Sequence, residues 1–97
     1  MRAVILDARV LDHITAAQAF GFPSYYGRNL DALYDCLGDI FEETAIVVLH
    51  AGEAGEDSAR ILRVIRDCAQ DNRKLRLFYA EEQEEETSGS GKTGSDQ

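Results

Sequence analysis

The chain has no tryptophan, one proline, one methionine and two cysteines among its 97 residues. Cys36 and Cys68 stand among apolar neighbours, with no adjacent histidine or second cysteine to complete a zinc site. In a reducing compartment such residues read as small buried hydrophobes rather than as a disulfide. No apolar run approaches the roughly twenty residues needed to cross a bilayer. The opening Met1-Arg2-Ala3 is not followed by the apolar core of an export signal, so a cytoplasmic location is expected. Positive charge is scarce as well. Ten Lys/Arg against eighteen Asp/Glu leave a net charge of −8. Phosphate backbones and anionic lipid surfaces are bound by basic patches, which argues against nucleic-acid and membrane binding. A cationic protein partner is the easier match.

What is present divides into two parts. Residues 1–80 hold nine Lys/Arg and twelve Asp/Glu, a balance of −3, and residues 81–97 carry the other −5. After Ala80 there is no apolar residue, only Glu, Gly, Ser, Thr and a few other polar residues. Such a segment cannot bury enough surface to offset the entropy of ordering, so a folded domain over 1–80 and a disordered acidic tail over 81–97 are expected. The tail contains Gly91-Lys92-Thr93, the end of a phosphate-binding loop pattern, but Glu86 stands where that pattern needs its first glycine.

Three short apolar runs mark strands: Ala3 to Leu6, Ala45 to Leu49 and Leu75 to Tyr79. The first two are continuous and rich in β-branched residues, as strands covered on both faces are. Arg76 breaks the third, as in an edge strand. Helical patterns lie between them. Asp12 to Phe20 presents Leu11, Ile14 and Ala17, ended by Gly21 and Pro23. Asn29 to Asp39 places Leu30, Leu33, Tyr34 and Leu37 at i, i+3, i+4 and i+7, with Asn29 as a natural N-cap. The third helix runs from Asp57 or Ser58 to Asp71, with Ile61, Leu62, Ile65, Cys68 and Ala69 on one face and Asn72 closing it. The order β-α-α-β-α-β predicts a small α/β fold, three layers built on a three-stranded parallel sheet with packed helices.

Charge is most one-sided in the middle of the chain. Eight acids and no Lys or Arg fall between Asp31 and Ala59. Asp31, Asp35 and Asp39 recur every fourth residue, so they form one stripe, roughly opposite the leucine face of the second helix. Like charges at that spacing destabilise a helix by about 0.2–0.5 kcal/mol per pair, and Asp39 also opposes the helix dipole. The stripe is either a solvated face or a surface for a basic protein, whose Arg and Lys would meet the carboxylates in charge-assisted hydrogen bonds. Just before it, Pro23-Ser24-Tyr25-Tyr26-Gly27-Arg28-Asn29 reads as an ordered loop, in which either one tyrosine ring packs inward while the other faces out as an interface anchor, or both simply cover the helix end. A catalytic reading finds little. His50 follows the second strand, where α/β ligands often bind, but no motif places a nucleophile or carboxylate beside it. No catalytic residue, metal or cofactor is expected.

Tyr25 to Leu37, Tyr-Tyr-Gly-Arg-Asn-Leu-Asp-Ala-Leu-Tyr-Asp-Cys-Leu, closely resembles the signature of the barstar family of intracellular ribonuclease inhibitors. A weaker similarity extends over about residues 2–79. The resemblance implies the same element order and an inhibitor or immunity protein of the antitoxin kind. It would plug the active site of a basic, barnase-type ribonuclease with the acidic helix and the loop before it. By motif position, Asp35 would be the central phosphate mimic and Asp31 a second salt-bridging acid. Tyr25 would pack on the active-site rim, Gly27 would set the loop shape and Asn29 would act through its cap. Tyr34 stands where the family inhibitor has tryptophan and would supply a smaller ring contact. Asp39 continues the stripe. Asp67 matches a glutamate that makes a peripheral ion pair, although Arg63, four residues earlier, is an alternative partner. Gly38-Asp39 departs from the family at the helix end, and His50 to Glu56 is so short that the family's small helix there is expected to be reduced or absent. The acidic tail is foreign to the pattern. The alternative reading is a binding module on the same fold for another basic toxin, such as a deoxyribonuclease, or a regulatory adaptor. A small-ligand domain centred on His50 is a third. The free protein is expected to be a monomer.

Overall fold

The computed structural model describes residues 1–80. The acidic tail and its Gly91-Lys92-Thr93 lie outside the described residues. Three strands, β1 (Arg2–Asp7), β2 (Thr44–Leu49) and β3 (Leu75–Tyr79), alternate with helices α1 (His13–Phe20), α2 (Leu30–Gly38) and α3 (Glu56–Asp71). The strands form one parallel sheet in the order β1-β2-β3. Arg2 to Asp7 pair in register with Thr44 to Leu49, and Thr44 to Val48 with Leu75 to Tyr79.

The register puts Val4, Leu6, Ile46, Val48 and Leu75 on one face of the sheet, all buried. They share a core with Ala16 and Phe20 of α1, Leu33 and Leu37 of α2, and Ile61, Ile65 and Cys68 of α3. The α/β class, the three parallel strands and the packed helices are those expected. The stacking is one-sided, however. Both crossovers step the same way across the sheet, and right-handed crossovers then bring every helix to the same face. On the other face Ile5 is 62% and Phe78 51% exposed, so the continuous apolar run of β1 is sheltered on one side only.

Local chemistry fixes the element ends. Asp12 caps α1 in a reciprocal box with Thr15: its Oδ1 accepts from the Thr15 N–H at 2.8 Å, and its own N–H donates to Thr15 Oγ1 at 2.9 Å. Gly21 ends α1 in the left-handed conformation, φ 72°, and its N–H donates to the Ala17 carbonyl. The buried face of α1 is Ala16 and Phe20. Ile14, expected inward, is half exposed. Between β2 and α3 there is a single 3₁₀ turn, Ala51–Glu53. The buried Ser58 hydroxyl donates to the Leu11 carbonyl at 2.7 Å and ties the start of α3 to the chain before α1.

Candidate protein-binding site on the acidic helix

Helix α2 is pinned at both ends. Asn29 Oδ1 accepts from the Ala32 N–H at 2.8 Å, satisfying one of the orphan donors of the first turn. Leu33 and Leu37 lie fully buried one turn apart. At the other end Asn72 Nδ2 donates to the carbonyls of Leu37 and Ile40, both at 3.0 Å. The sequence assigns Asn72 to the end of α3. Its backbone N–H does donate to the Cys68 carbonyl there, but its side chain closes α2 instead. A second tie is the Tyr34 hydroxyl, which donates to Asp71 Oδ2 at 3.0 Å and is held above the usual phenol range by that carboxylate. The helix that carries the acids is thus held against α3 by polar contacts that its own sequence does not announce.

The outward face carries Asp31, Asp35 and Asp39, all exposed. Among the described residues none of the three forms an ion pair, and neither does Glu42 or Glu43 just beyond. Two of the three arginines of α3 are engaged elsewhere. Arg60 reaches Glu56 and Asp57, both at 3.1 Å. Asp67 stands 3.8 Å from Arg66, a loose pair, rather than meeting Arg63.

The loop before α2 is built around Tyr26. Its N–H donates to the Pro23 carbonyl at 3.0 Å, its ring meets Phe22 at 4.9 Å between centroids, and its hydroxyl lies 2.7 Å from His13 Nδ1. Burial pushes its phenol up to about 12. With Tyr26 turned in, Tyr25 is thrown outward and stands 85% exposed, the one-in, one-out arrangement of the two the sequence allows. Gly27 answers a close approach: an added Cβ would lie 3.2 Å from Asn29 Nδ2 and 3.4 Å from Ala32 Cβ. The left-handed residue of this turn is Arg28, φ 55°. That conformation is costly for a side chain-bearing residue, and here it is secured by the Asn29 cap that follows.

These pieces divide the candidate residues into three groups. Tyr25, Gly27, Asp35 and Asp39 line one open groove of about 570 Å³ between the loop and the C-terminal half of α2. Cys36 also lines it; burial first, then Asp39 and Asp35, pushes its thiol up. Tyr34 lies on the opposite flank of α2, in contact with α3, and the Asp67 charge is near enough to act on its phenol. Asn29 and Asp31 sit at the first turn. Sequence reasoning missed Phe41, which follows the helix and is 87% exposed beside the same groove. A large aromatic directly after an acidic helix end was the available signal. Both cysteines are free thiols.

No chemistry gathers elsewhere. Among the described residues no cluster of three His, Cys, Asp or Glu is placed to hold a metal ion, and no helix is long and apolar enough to cross a membrane. His50 takes a left-handed φ of 58° at the end of β2. Glu53 Oε2 stands 3.4 Å from its Nδ1, out of line for a hydrogen bond. His50 does not line the groove beside α2.

Comparison with known proteins gives two findings. The profile of the family described as Barstar (barnase inhibitor) matches residues 6–84. A protein of Bacillus subtilis (strain 168) named "Putative ribonuclease inhibitor YrdF" is 48% identical over 42 residues, spanning 38% of this chain and 46% of that protein. The match therefore covers less than half of that relative's length.

Proposed function

Since the chain belongs to the barstar family, we propose that it is an intracellular inhibitor, an immunity protein, of a basic barnase-type ribonuclease. It acts by occluding the enzyme's active site and performs no covalent chemistry. The observation that carries this reading is the exposed stripe Asp31, Asp35, Asp39, which has no cationic partner among the described residues and is mounted on a helix fixed at both ends. A site that binds RNA phosphate offers Arg, Lys and His at fixed spacing. Carboxylates on a rigid helix meet such groups without further ordering, so little entropy opposes docking.

In this reading Asp35, at the middle of the stripe and on the groove, takes the place of a substrate phosphate. Asp31 pairs with a second cation, and Tyr25 covers the rim of the active site. Gly27 and Asn29 hold the loop that presents Tyr25. Tyr34 and Asp67 form the far flank, and Asp39 extends the negative face. Residues 1–80 are the inhibitory unit, and it works as a monomer in the cytoplasm. The name of the Bacillus relative and its identity over 42 residues support the same reading.

The test is inhibition of a barnase-type ribonuclease by the wild-type chain and by Asp35→Ala side by side. Tight inhibition is expected, weakened in the variant by about 2–5 kcal/mol, or roughly 30- to 4,000-fold, because the enzyme's cationic pocket is left buried without its counter-charge. Association is expected to be fast and to slow with added salt. Equal inhibition by the variant refutes the role given to Asp35. No inhibition by the folded wild type moves the partner to another basic protein, such as a deoxyribonuclease.

A further inference from the structure

Four rings run in a chain from the end of α1 back to its start. Phe20 stacks on Phe22 at 5.3 Å between centroids, Phe22 meets Tyr26 at 4.9 Å, and Tyr26 meets His13 at 5.9 Å, tilted by 52°. Phe20 and His13 are the last and first residues of α1, about 10 Å apart along the axis at roughly 1.5 Å per residue. The segment from Gly21 to Tyr26 therefore runs back along α1 and returns to its first turn. There the Tyr26 hydroxyl meets His13 Nδ1 at 2.7 Å, its one hydrogen-bond partner among the described residues. Tyr26 is buried, and burial pushes its phenol up to about 12, so the hydroxyl keeps its proton. The hydroxyl donates, Nδ1 accepts, and the neutral ring carries its own proton on Nε2. A buried hydroxyl left without an acceptor is costly, so Tyr26 keeps its place only while His13 faces it. His13 is itself held. The Asp12–Thr15 capping box fixes the turn that carries it, and it shares a groove with Arg28, Asn29 and Leu30, on the far side of Gly27.

We propose that His13 is a positioning residue of the inhibitory surface. Acting through Tyr26, it sets the place of the loop that presents Tyr25, with no contact of its own to the partner. Tyr25 directly precedes Tyr26, so a shift of the buried ring passes to it through one peptide unit. Two residues beyond Tyr26, Arg28 holds a left-handed φ of 55°, a conformation that persists only where its surroundings over-determine it. The Asn29 cap is one such constraint, and the bond from Tyr26 to His13 is a second. Gly27 and Asn29 act from within the loop and its cap, whereas His13 comes from a different helix, thirteen residues before Tyr26. The consequence for binding rests on the inhibitor reading. The effect on the loop does not.

The experiment compares the full wild-type chain with His13→Leu, His13→Asn and Tyr26→Phe. Asparagine places an oxygen acceptor near the position of Nδ1, and leucine fills the space without one. In ¹⁵N relaxation of the free chain, the amides of Tyr25 to Arg28 are expected to lose order in His13→Leu and in Tyr26→Phe, and to regain it in His13→Asn. In inhibition of a barnase-type ribonuclease, His13→Leu and Tyr26→Phe are each expected to raise the inhibition constant about tenfold, and the double variant no more than either alone. Placed on Tyr25→Ala, His13→Leu is expected to change inhibition less than about twofold, because the ring it positions is gone. A merely structural histidine would lower the folded fraction equally in both backgrounds. Urea unfolding of each variant fixes that fraction, and Tyr26→Phe, which deletes a single oxygen, carries the comparison should His13→Leu not fold. Additive losses, unchanged inhibition in His13→Leu, the same loss on Tyr25→Ala, or a loop whose order ignores His13 overturns the proposal. A wild type that does not inhibit refutes the inhibitor reading instead, and the loss of loop order with its return in His13→Asn then decides whether His13 positions the loop.

Discussion

Replacing the acids of α2 by asparagine is expected to stabilise the free protein while weakening its function, in an order set by position. Asp39 stands at the last turn and cap of the helix, where a negative charge faces the unpaired carbonyl end and costs about 0.3–1 kcal/mol. It also repels Asp35 at i−4, for about 0.2–0.5 kcal/mol. No cation among the described residues offsets either effect. Asp39→Asn therefore gains about 0.5–1.5 kcal/mol. Its φ of −85° means that asparagine brings no advantage of a left-handed cap. Asp35→Asn relieves two repulsions and gains about 0.4–1 kcal/mol. Asp31→Asn relieves one but gives up a favourable first-turn charge, so its effect is near zero. The assay is urea unfolding at unchanged m-value, repeated at about 20 mM and 1 M NaCl. At the higher salt the screening length of about 3 Å is shorter than the roughly 5–6 Å between neighbouring Cβ atoms of the stripe, so most of each gain must disappear. In the ribonuclease assay the same three substitutions all lose inhibition, Asp35 the most. A destabilising Asp39→Asn, or a gain that ignores salt, refutes the electrostatic account.

Other expectations concern the frame of the site. Asn29→Ala removes the acceptor for the Ala32 N–H and is expected to cost about 1 kcal/mol, a fall of several degrees in thermal midpoint for a domain this small. Gly27→Ala drives a methyl to 3.2 Å from Asn29 Nδ2. The cap must yield, with a loss of about 1 kcal/mol and a measurable loss of inhibition as the Tyr25 loop shifts. At alkaline pH, Cys68, pushed from 9.0 up to about 11, and Tyr26, from 10.0 up to about 12, hold their protons more tightly folded than unfolded, mainly through burial. Their contribution is whole below pH 9 and is lost as pH rises from there to about 12. Cys68→Ala therefore flattens the first part of that decline in urea midpoints against pH.

Much of the fold was legible because its signals are local. The β-branched run Ala45 to Leu49 and the heptad-like spacing of Leu30, Leu33 and Leu37 each depend on neighbours within one turn or one strand. Asn29 announces its helix for the same reason: the donor it satisfies is three residues away. What escaped is what requires the third dimension. The side chain of Asn72 closes a helix 32 to 35 residues earlier, and Tyr34 bonds Asp71 across 37. The phase of α1 escaped as well: packing buries Phe20, the largest apolar side chain of the helix, with Ala16, and leaves Ile14 half exposed. The bare face of the sheet follows from crossover direction, which no strand records alone. At the site, the acids and Tyr25 were visible as residue types. The groove was not, because Phe41 joins it only after the chain turns out of α2.

The division of labour within α2 explains why a destabilising stripe is tolerable. An isolated helix of nine residues, with two aspartates inside it, a third at its cap and no counter-ions, would not persist in water. Leu33 and Leu37, both fully buried, supply the stability instead, since losing either to alanine would cost about 2–5 kcal/mol. That exceeds the repulsion along the stripe several times over. Asn29 at one end and Asn72 at the other then fix where the carboxylates point. Stability is drawn from the inward face and the ends, which leaves the outward face free to be charged in one sign. The helix is therefore strained electrostatically but not conformationally. In the proposed complex a cationic partner would relieve that strain on docking, so the repulsion lost would add to the attraction gained. The residues whose removal most stabilises the free chain thus belong among those whose removal most weakens the complex, a correlation that a merely solvated acidic face has no reason to produce.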